Sequence, residues 1–480
     1  MRRSKIVATL GPASSDKNTL EALLLAGMDV ARLNFSHGSV DEHRQIVRHL
    51  RSLEEKHGRR IAIMGDLQGP KIRIARFEAG EINLKPGQQF TLSNTHPRKK
   101  GNNVIVGIDY PALPHDCHPG DELLLDDGRI ILEVETSDTD AVHTKVIRGG
   151  RLSDNKGINR RGGGLSAASL TDKDIEDIKT MAELEVDYVA VSFPRKPTDI
   201  ATARQHLKAA GSHAWLIAKI ERAEAVADDA ALNGLIEVSD GVMVARGDLG
   251  VEVGDARLAG IQKRIIRQAR SHNKLVITAT QMMESMVNNP IPTRAEVSDV
   301  ANAVLDYTDA VMLSAETAVG QYPVEAVAAM ARICIGAEQE PEVSQSHHRL
   351  DETFTQRDET IALAAMYAGN HFSKVKAIIS LTETGRTPLI MSRIRSHLPI
   401  YCYTRHIATQ RRVALFRGVY PMCFTQAQFG SPSAPQEAIA LLKQHSLLET
   451  GDHVVLTRGL ATSDNDATQT DTLSIFEVKP

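Results

Sequence analysis

The feature that most constrains the fold of this chain is a unit that occurs eight times. In each unit a short apolar run ends in a polar residue and is followed by an amphipathic helical stretch. The runs are rich in Val, Ile, Leu and Ala, as parallel strands buried on both faces require. Eight alternating strands and helices predict a (β/α)8 barrel. The predicted strands are Lys5–Leu10, Asp29–Phe35, Ile61–Asp66, Val186–Phe193, Leu216–Glu221, Asp240–Arg246, Leu275–Thr280 and Asp309–Ser314.

About a hundred residues intervene between the third and fourth strands, where a helix would suffice. From Lys71 to about Ser166 this segment contains short apolar runs separated by turn sequences such as Pro86-Gly87 and Asp127-Gly128. We therefore expect a small inserted β-barrel domain over residues 71–166, within a catalytic barrel of residues 1–70 and 167–341. The run Arg161–Gly164 resembles a hinge, and a hinged module above a barrel mouth acts as a lid.

A third domain is expected over residues 350–480, after a polar, linker-like stretch from Ser344 to Arg349. Strands and helices alternate again here, which predicts an open α/β sheet of about five strands. The predicted strands are Val375–Leu381, Pro399–Tyr403, Val419–Cys423, Asp452–Thr457 and Thr472–Val478.

Composition and charge exclude several classes of protein. The nearly balanced net charge of -4 argues against a nucleic-acid-binding surface spread over the whole molecule. No stretch approaches the roughly 18 apolar residues that a membrane span needs, and the first apolar run is too short for a signal peptide. The four cysteines are scattered without a CxxC pair, which is typical of a reduced compartment. We expect a cytoplasmic protein that binds neither nucleic acid nor membranes.

The active site of such a barrel lies at the C-terminal ends of its strands, and six of these ends carry polar or charged residues. Glu221 and Asp248 follow adjacent strands and could converge on Mg²⁺ or Mn²⁺, which favour oxygen ligands. The alternative is that each carboxylate forms a structural salt bridge with Lys219 or Arg246.

Two further features of the same rim are suited to binding anions. The guanidinium groups of Arg32 and Arg73 match the geometry of phosphate, although either one alone could be an ordinary surface arginine. The run Ala245-Arg246-Gly247-Asp248 offers backbone N–H groups to an anion, or is a tight turn that needs glycine. Cations, a metal site and an anion site together fit phosphoryl transfer. The chain has no GxxxxGK[ST] motif, so any nucleotide is bound without a P-loop.

Six segments occur in order along the chain: ARLNFSHG (31–38), DLQGPKIR (66–73), AKIE (218–221), MVARGDLG (243–250), TATQMMESM (278–286) and MLSAET (312–317). They carry a resemblance to the pyruvate kinase family that extends from end to end. The resemblance implies transfer of a phosphoryl group from phosphoenolpyruvate to ADP in glycolysis, giving pyruvate and ATP. It also implies Mg²⁺ or Mn²⁺ as the cofactor and a homotetramer.

The resemblance assigns the substrate and the metal to the matched residues of the barrel. Glu221 and Asp248 are the implied metal ligands. Lys219 lies, by implication, beside the phosphoryl group and stabilises the transition state and the enolate. Backbone groups of Ala245–Asp248 would hold the substrate carboxylate, and Thr280 would lie on the face where the enolate is protonated.

The resemblance also implies residues that bind phosphate and nucleotide. Arg32 and Arg73 would bind phosphate. Asn34 and His37 resemble contacts to the nucleotide, as does Lys156, which the lid would deliver to the site.

The sequence departs from many members of the family at Lys71, where they carry a glutamate. In those members K⁺ is bound among residues that match Asn34, Ser36 and Asp66. Here the ammonium group of Lys71 could replace that monovalent charge, and the neighbouring Leu67 and Gln68 also resemble the branch of the family that does not need K⁺. We therefore expect activity without K⁺.

The loop Thr382-Glu383-Thr384-Gly385-Arg386-Thr387 follows a predicted strand and precedes a predicted helix. It is either a plain helix cap or, by the resemblance, the phosphate site of an allosteric activator. Glu383 disfavours a fructose bisphosphate, so we expect a sugar monophosphate or a nucleotide monophosphate.

Two other functions compete with this interpretation. One is a different phosphoenolpyruvate or pyruvate barrel, such as a carbon–carbon lyase or a phosphotransferase with a histidine carrier, but these lack the inserted lid. The other is a catalytically inactive relative that binds metabolites, against which the intact Lys219, Glu221, Asp248 and Thr280 argue.

Overall fold

A computed structural model describes residues 1–341, 352–425, 428, 431–459 and 470–480. The first part of the chain forms three parallel strands separated by two helices. Helix α2 begins after Ser39, whose hydroxyl accepts the N–H of Glu42 while the Glu42 carboxylate accepts the N–H of Ser39. These elements are β1 (Lys5–Leu10), α1 (Lys17–Ala26), β2 (Val30–Asn34), α2 (Val40–His57) and β3 (Ala62–Asp66).

The inserted segment forms a mainly antiparallel β domain with its own apolar core. We predicted a small barrel here, and the strands pair as a six-stranded sheet, in the order β11-β7-β8-β9-β5-β6, beside a two-stranded sheet of β10 and β4. Its elements are β4 (Glu81–Leu84), β5 (Gln89–Ser93), β6 (Ile105–Gly107), α3 (Leu113–Asp116), β7 (Glu122–Leu125), β8 (Ile130–Ser137), β9 (Ala141–Arg148), β10 (Gly150–Ser153) and β11 (Ile158–Arg160).

The chain returns to the barrel through the predicted hinge, where Gly162, Gly163 and Gly164 all have positive φ. Gly163 has φ of 82°, where a side chain would be strained, and a Cβ there would also displace the carboxylate of Glu224, whose Oε2 would lie 2.3 Å away. The elements that follow are α4 (Asp172–Glu183), β12 (Tyr188–Val191), α5 (Pro197–Ala209), β13 (Trp215–Ile220), α6 (Asp229–Val238), β14 (Gly241–Ala245), α7 (Arg246–Val253), α8 (Asp255–Ser271), β15 (Leu275–Ala279), α9 (Arg294–Leu305), β16 (Ala310–Leu313), α10 (Ala315–Ala318) and α11 (Pro323–Ala337).

The eight parallel strands close into a barrel in the order β1-β16-β15-β14-β13-β12-β3-β2. The predicted (β/α)8 barrel is therefore confirmed. Successive residues of each strand face opposite sides of the barrel wall. Ile6 and Ala8 point outward and pack with the surrounding helices, whereas Val7 and Met243 fill the barrel interior. Because both faces of each strand are covered, the strands carry the continuous apolar runs seen in the sequence.

The C-terminal domain contains the expected five-stranded α/β sheet, in the order β19-β18-β17-β20-β21, with β21 antiparallel to the rest. The predicted linker from Ser344 to Arg349 lies outside the described residues, and the limits of the three domains stay a prediction. The elements are α12 (Arg357–His371), β17 (Val375–Leu381), α13 (Arg386–Ser392), β18 (Ile400–Thr404), α14 (Ile407–Val413), β19 (Val419–Cys423), α15 (Ala434–Gln444), β20 (His453–Arg458) and β21 (Thr472–Glu477).

The C-terminal domain packs against the N-terminal ends of the barrel strands, opposite the rim where the site was predicted. Asp309, just before β16, binds the buried guanidinium of Arg393, and Trp215 at the start of β13 stacks on Phe416 with ring centroids 5.8 Å apart. The apolar interior of the barrel is continuous with one face of this domain. Among the described residues, no helix is both long and apolar enough to cross a membrane.

Candidate active site

Lys219, near the end of β13, lies at the centre of a buried cluster of charges at the C-terminal rim. Its Nζ is 2.9 Å from Glu221 Oε1 and 3.2 Å from Asp66 Oδ1, and it donates to Ser192 Oγ at 2.7 Å. Burial alone would lower the pKa of Lys219, but the carboxylates of Asp66 and Glu221 outweigh it and raise that pKa well above the ordinary value. Lys219 is therefore a fixed ammonium group at neutral pH.

Asp66 ties Arg32 to the same cluster. Arg32 Nε donates to Asp66 Oδ2 at 2.7 Å and Nη1 donates to Thr9 Oγ1 at 2.9 Å. Burial would raise the pKa of Asp66, but Arg32 and Lys219 lower it below the ordinary value. Within the described part of the chain Arg32 Nη2 has no hydrogen-bond partner, so this edge of the guanidinium can serve a ligand.

Glu221 and Asp248 occupy neighbouring positions on the rim. Glu221 is 1% exposed, and its Oε2 accepts the N–H of Phe193 at 2.8 Å. Burial raises the pKa of Glu221 to about 7; Lys219 opposes this shift and the negative charge of Asp248 adds to it. Asp248 is half-buried in the first turn of α7, and its carboxylate forms no hydrogen bond or ion pair within the described chain.

These two carboxylates fit a divalent cation. Their mutual repulsion, together with the uncommitted oxygens of Asp248, is what a hard cation such as Mg²⁺ or Mn²⁺ would relieve. No group of three or more His, Cys, Asp or Glu in the described residues is arranged to hold a metal. A cation at this position would therefore take its other ligands from substrate and water, as Mg²⁺ commonly does at phosphoryl-transfer sites.

The alternative of two structural salt bridges holds for only one of the carboxylates. Glu221 pairs with Lys219, but Asp248 pairs with neither predicted cation. Arg246 instead binds Asp299 at 2.7 Å and donates to the carbonyl of Thr280 at 2.7 Å. The side chain of Arg246 is thus committed to the protein.

Gly247 and Thr280 form the floor of the rim after β14 and β15. The N–H of Gly247 donates to Thr280 Oγ1 at 2.8 Å. Thr280 and Gln281 have φ of 68° and 53°, a region that non-glycine residues rarely adopt, and Arg246 holds the strained Thr280 carbonyl.

Gly247 itself does not need to be glycine for its turn. Its φ is not positive, and an added Cβ would lie 3.7 Å from Thr280 Oγ1, an ordinary contact. This geometry argues against the tight-turn explanation of Gly247. It favours the explanation in which glycine lets the backbone approach a ligand.

The predicted nucleotide contacts are spread around the barrel mouth and the insertion. Asn34 Oδ1 accepts the N–H of Ser36 at 3.2 Å, and His37 is exposed. Arg73 is half-buried at the base of the insertion, where its backbone N–H binds Asp109 at 2.7 Å.

Two predicted lysines lie away from the Lys219 cluster. Lys156 Nζ pairs with Asp126 inside the insertion, at 2.7 Å. Lys71 is exposed, with its Cε near Gly157, and in the described chain its ammonium contacts none of Asn34, Ser36 or Asp66. A cavity between the insertion and the barrel mouth is lined by Lys71, Gly157 and Asp248, so both faces of the cleft contribute to it.

Sequence reasoning missed the end of the fourth strand. Ser192 accepts from Lys219 and donates to the carbonyl of Leu67 at 2.7 Å, and Phe193 presents its N–H to Glu221 from a backbone with φ of 55°. The rule that selected the other strand ends applies equally to the Ser-Phe-Pro sequence that follows β12, and would have found them.

The loop 382–387 in the C-terminal domain uses several of its polar groups internally. The hydroxyls of Thr382 and Thr384 accept the N–H groups of Gly385 and Arg386, at 3.1 and 3.3 Å. The carboxylate of Glu383 binds Arg405 at 2.9 Å and His406 at 2.6 Å. Thr387 shares a hydrogen bond with Thr470 at 2.5 Å, so the helix-cap explanation accounts for part of the loop.

Comparisons with known proteins agree over nearly the whole chain. Residues 1–327 match the pyruvate kinase barrel-domain family and residues 359–476 match the pyruvate kinase alpha/beta-domain family. The chain is 54% identical to pyruvate kinase II of Salmonella typhimurium over 470 residues, covering 98% of each chain. It is 53% identical to the pyruvate kinase of Haemophilus influenzae over 462 residues, covering 96% of each.

A solved structure shows the same architecture. The crystal structure of a pyruvate kinase from Cryptosporidium parvum superposes with a TM-score of 0.92 at 32% identity, over 99% of this chain and 96% of the other. The chain therefore belongs to the pyruvate kinase family and is a phosphotransferase.

Proposed function

We propose that this chain transfers the phosphoryl group of phosphoenolpyruvate to ADP, giving pyruvate and ATP in glycolysis. The observation that carries the proposal is the permanent ammonium of Lys219, fixed between Asp66 and Glu221 beside the uncommitted carboxylate of Asp248. Phosphoryl transfer requires little covalent chemistry from the protein and depends on positioned charge. A buried cation held from two sides supplies such charge without reorganisation.

Lys219 would act by its charge and not as a base. Because its pKa is raised, it keeps its proton while the bridging oxygen of phosphoenolpyruvate gains negative charge. Arg32 would add the edge of its guanidinium that is not bound to Asp66 or Thr9. Together they would stabilise the transferring phosphoryl group and the enolate that remains.

Glu221 and Asp248 would hold Mg²⁺ or Mn²⁺. When bound, the cation neutralises negative charge on the substrate carboxylate and phosphate. The N–H groups of residues 245–248, at the start of α7, would receive the substrate carboxylate where Gly247 leaves room, with the Gly247 N–H shared with Thr280 Oγ1. Thr280 Oγ1 also donates to the carbonyl of Ala279 at 2.6 Å, so it would orient this floor and use its oxygen to hold the water that faces the enolate carbon.

The nucleotide would bind across the cleft from this floor. Asn34, His37 and Arg73 line the barrel side and the base of the insertion, and Lys156 projects from the insertion. Lys156 is paired with Asp126, so delivering it to a nucleotide phosphate would exchange one anionic partner for another.

We infer that turnover does not require K⁺. Asp66, the charged member of the expected monovalent-cation region, is already neutralised by Arg32 and Lys219. The ammonium of Lys71, which was expected to replace the monovalent charge, contacts none of Asn34, Ser36 or Asp66 in the described chain, so the inference rests on Arg32 and Lys219.

The loop 382–387 is our candidate for an activator site that takes a sugar monophosphate or a nucleotide monophosphate. Its threonine hydroxyls and the N–H groups at the start of α13 suit one phosphate group. The carboxylate of Glu383 would repel a second phosphate. We also propose a homotetramer, as the family resemblance implies, in the cytoplasm, where the four free cysteines would stay reduced.

The test is a coupled assay that follows pyruvate formed from phosphoenolpyruvate, ADP and Mg²⁺. We expect turnover by the wild-type chain and its near-complete loss in Lys219→Met. No pyruvate from the folded wild-type protein would contradict the proposal, and would be the result expected of an inactive metabolite-binding relative.

A further inference from the structure

A buried ion pair lies beside the candidate site, and no step of the proposed mechanism uses it. Arg222 is 4% exposed and Glu252 is 2% exposed. Arg222 Nε is 3.2 Å from Glu252 Oε1, and Glu252 Oε2 accepts the N–H of Ala223 at 2.8 Å. Both oxygens of one carboxylate therefore bind the same short segment of chain.

Each member of this pair is close in the chain to one of the two candidate metal ligands. Arg222 directly follows Glu221 at the end of β13. Glu252 comes four residues after Asp248 in α7, which places both on one face of the helix, about one turn apart. The pair thus connects the strand end that carries one carboxylate to the helix that carries the other.

The lid is anchored at the same point. Asn159 Nδ2 donates to Glu252 Oε1 at 3.4 Å, and the N–H of Gly162 in the hinge donates to the carbonyl of Glu252 at 3.0 Å. Arg222 Nη2 donates to the carbonyl of Leu165, just after the hinge, at 3.3 Å. Strand end, helix and lid therefore meet at one ion pair.

Stability alone is a poor reason for such a pair. Desolvating two charges costs about as much as their attraction returns, and apolar residues of similar size often serve as well. A metal shared by two carboxylates sets a stricter demand, because Mg²⁺ accepts oxygen ligands only near 2.0–2.1 Å in a nearly octahedral arrangement. Asp248 has no partner in the described chain, so the position of α7 determines where its carboxylate lies.

We propose that Arg222 and Glu252 are positioning residues, which fix the separation of Glu221 and Asp248 and join the lid to that metal-binding pair. The inference rests on the proposed metal site. Losing the pair would let α7 shift relative to β13, so the cation would bind less tightly even though both of its ligands remain.

The test is the Kd of Mn²⁺ in Glu252→Gln, measured by electron paramagnetic resonance with phosphoenolpyruvate present and ADP absent. Glutamine keeps the size of the side chain and removes the charge that joins Arg222 to α7, while Glu224, 3.2 Å from Arg222 Nη2, keeps the guanidinium paired. We expect the Kd to rise by about 10-fold or more, the usual effect of losing a residue that supports metal ligands. Arg222→Lys, which keeps the charge but not the fork, should show a smaller rise than Arg222→Met.

Asp187→Asn is the matched control. Asp187 is also buried, also accepts a backbone N–H (from Ile63, at 2.8 Å) and also pairs with an arginine (Arg51, at 3.3 Å), but it lies before β12 at the opposite end of the barrel. This variant should bind Mn²⁺ within about 2-fold of the wild type, since only its stability should change.

Either of two results would overturn the proposal. One is a wild-type Kd in both Glu252→Gln and Arg222→Met; the other is an equal loss of Mn²⁺ affinity in Asp187→Asn. If Glu252→Gln does not fold, Arg222→Met decides by the same criterion. An unchanged Kd in Asp248→Asn would show that the proposed metal site itself is misplaced, a failure distinct from that of the positioning pair.

Discussion

Replacing Lys219 by Met tests the charge on which the proposed chemistry depends. The ammonium lies 2.9 Å from the carboxylate oxygen of Glu221, and a unit negative charge on a phosphoryl oxygen at a similar distance would gain about 6 kcal/mol at an effective dielectric constant of about 20. When Lys219 is removed, the rate falls only by the part of this energy that is gained in the transition state and not in the bound substrate. Removing one comparable cation from a phosphoryl-transfer site costs about 10³-fold or more in kcat, which corresponds to about 4 kcal/mol.

The same substitution affects stability by a smaller amount than the loss of a buried ion pair usually does. Breaking such a pair costs about 3–5 kcal/mol. Here Asp66 keeps Arg32, and Glu221, whose pKa is already about 7, can take up a proton when Lys219 is removed. We therefore expect a loss near the lower end of that range, which should leave a folded protein.

The assay is kcat in the coupled pyruvate reaction, with folding checked by circular dichroism and by the urea midpoint. Lys263→Met is the control, because Lys263 is largely exposed and pairs with Asp306 on the outside of the barrel. It should keep the wild-type kcat. A folded Lys219→Met that retains more than about a tenth of the wild-type kcat would refute the assigned role of this ammonium.

Three further results follow from the site. Gly247→Ala should leave the urea midpoint unchanged, because its Cβ meets only ordinary contacts, but should raise the KM for phosphoenolpyruvate by about 10-fold or more, since the methyl group would fill the room proposed for the substrate carboxylate. A normal KM, or a general loss of stability, would restore the tight-turn explanation. Replacing K⁺ by a large organic cation should change kcat by less than about 2-fold, and a fall by orders of magnitude would contradict the inference that Arg32 and Lys219 suffice to neutralise Asp66. Thr384→Asp should abolish activation by sugar and nucleotide monophosphates without changing the basal rate, because the new carboxylate repels phosphate; activation that persists unchanged would place the effector elsewhere.

The charge balance of the cluster has a bearing on the order of binding. Lys219 and Arg32 face three carboxylates, those of Asp66, Glu221 and Asp248, so this cluster carries a net negative charge whenever Glu221, whose pKa is about 7, is ionised. A divalent cation reverses that sign. Phosphoenolpyruvate is strongly anionic, so we expect it to bind well only when the metal arrives before it or with it.

The barrel was predictable from the sequence because its signal is local. Each strand is a run of apolar residues bounded by polar ones, and the predicted Asp240–Arg246, for example, contains the observed Gly241–Ala245. The charged rim was predictable for the same reason, since strand ends can be read from the chain and the fold places them together.

The partners of the rim residues were not predictable in this way. Arg246 stands at a strand end, as expected, but its guanidinium binds Asp299, which lies 53 residues away in the chain and leaves no pattern in the sequence. Lys156 carries the right charge to bind a nucleotide phosphate, yet only the three-dimensional structure shows that it pairs with Asp126. Whether Gly247 serves a turn or a ligand depends on φ and on the space beside its Cα, and neither can be read from the residue type.

The continuity of the barrel interior with the C-terminal domain determines which parts of the molecule unfold together. Those two regions share one set of buried contacts, reinforced where Trp215 stacks on Phe416, so solvent cannot enter one without exposing the other. The insertion encloses a separate core and is joined to the barrel by two lengths of chain and by the contacts of Asn159 and Gly162 with Glu252. We therefore expect it to unfold as a cooperative unit of its own once those contacts break, while the remaining structure, including the chemical groups on the strand ends, stays protected from hydrogen exchange.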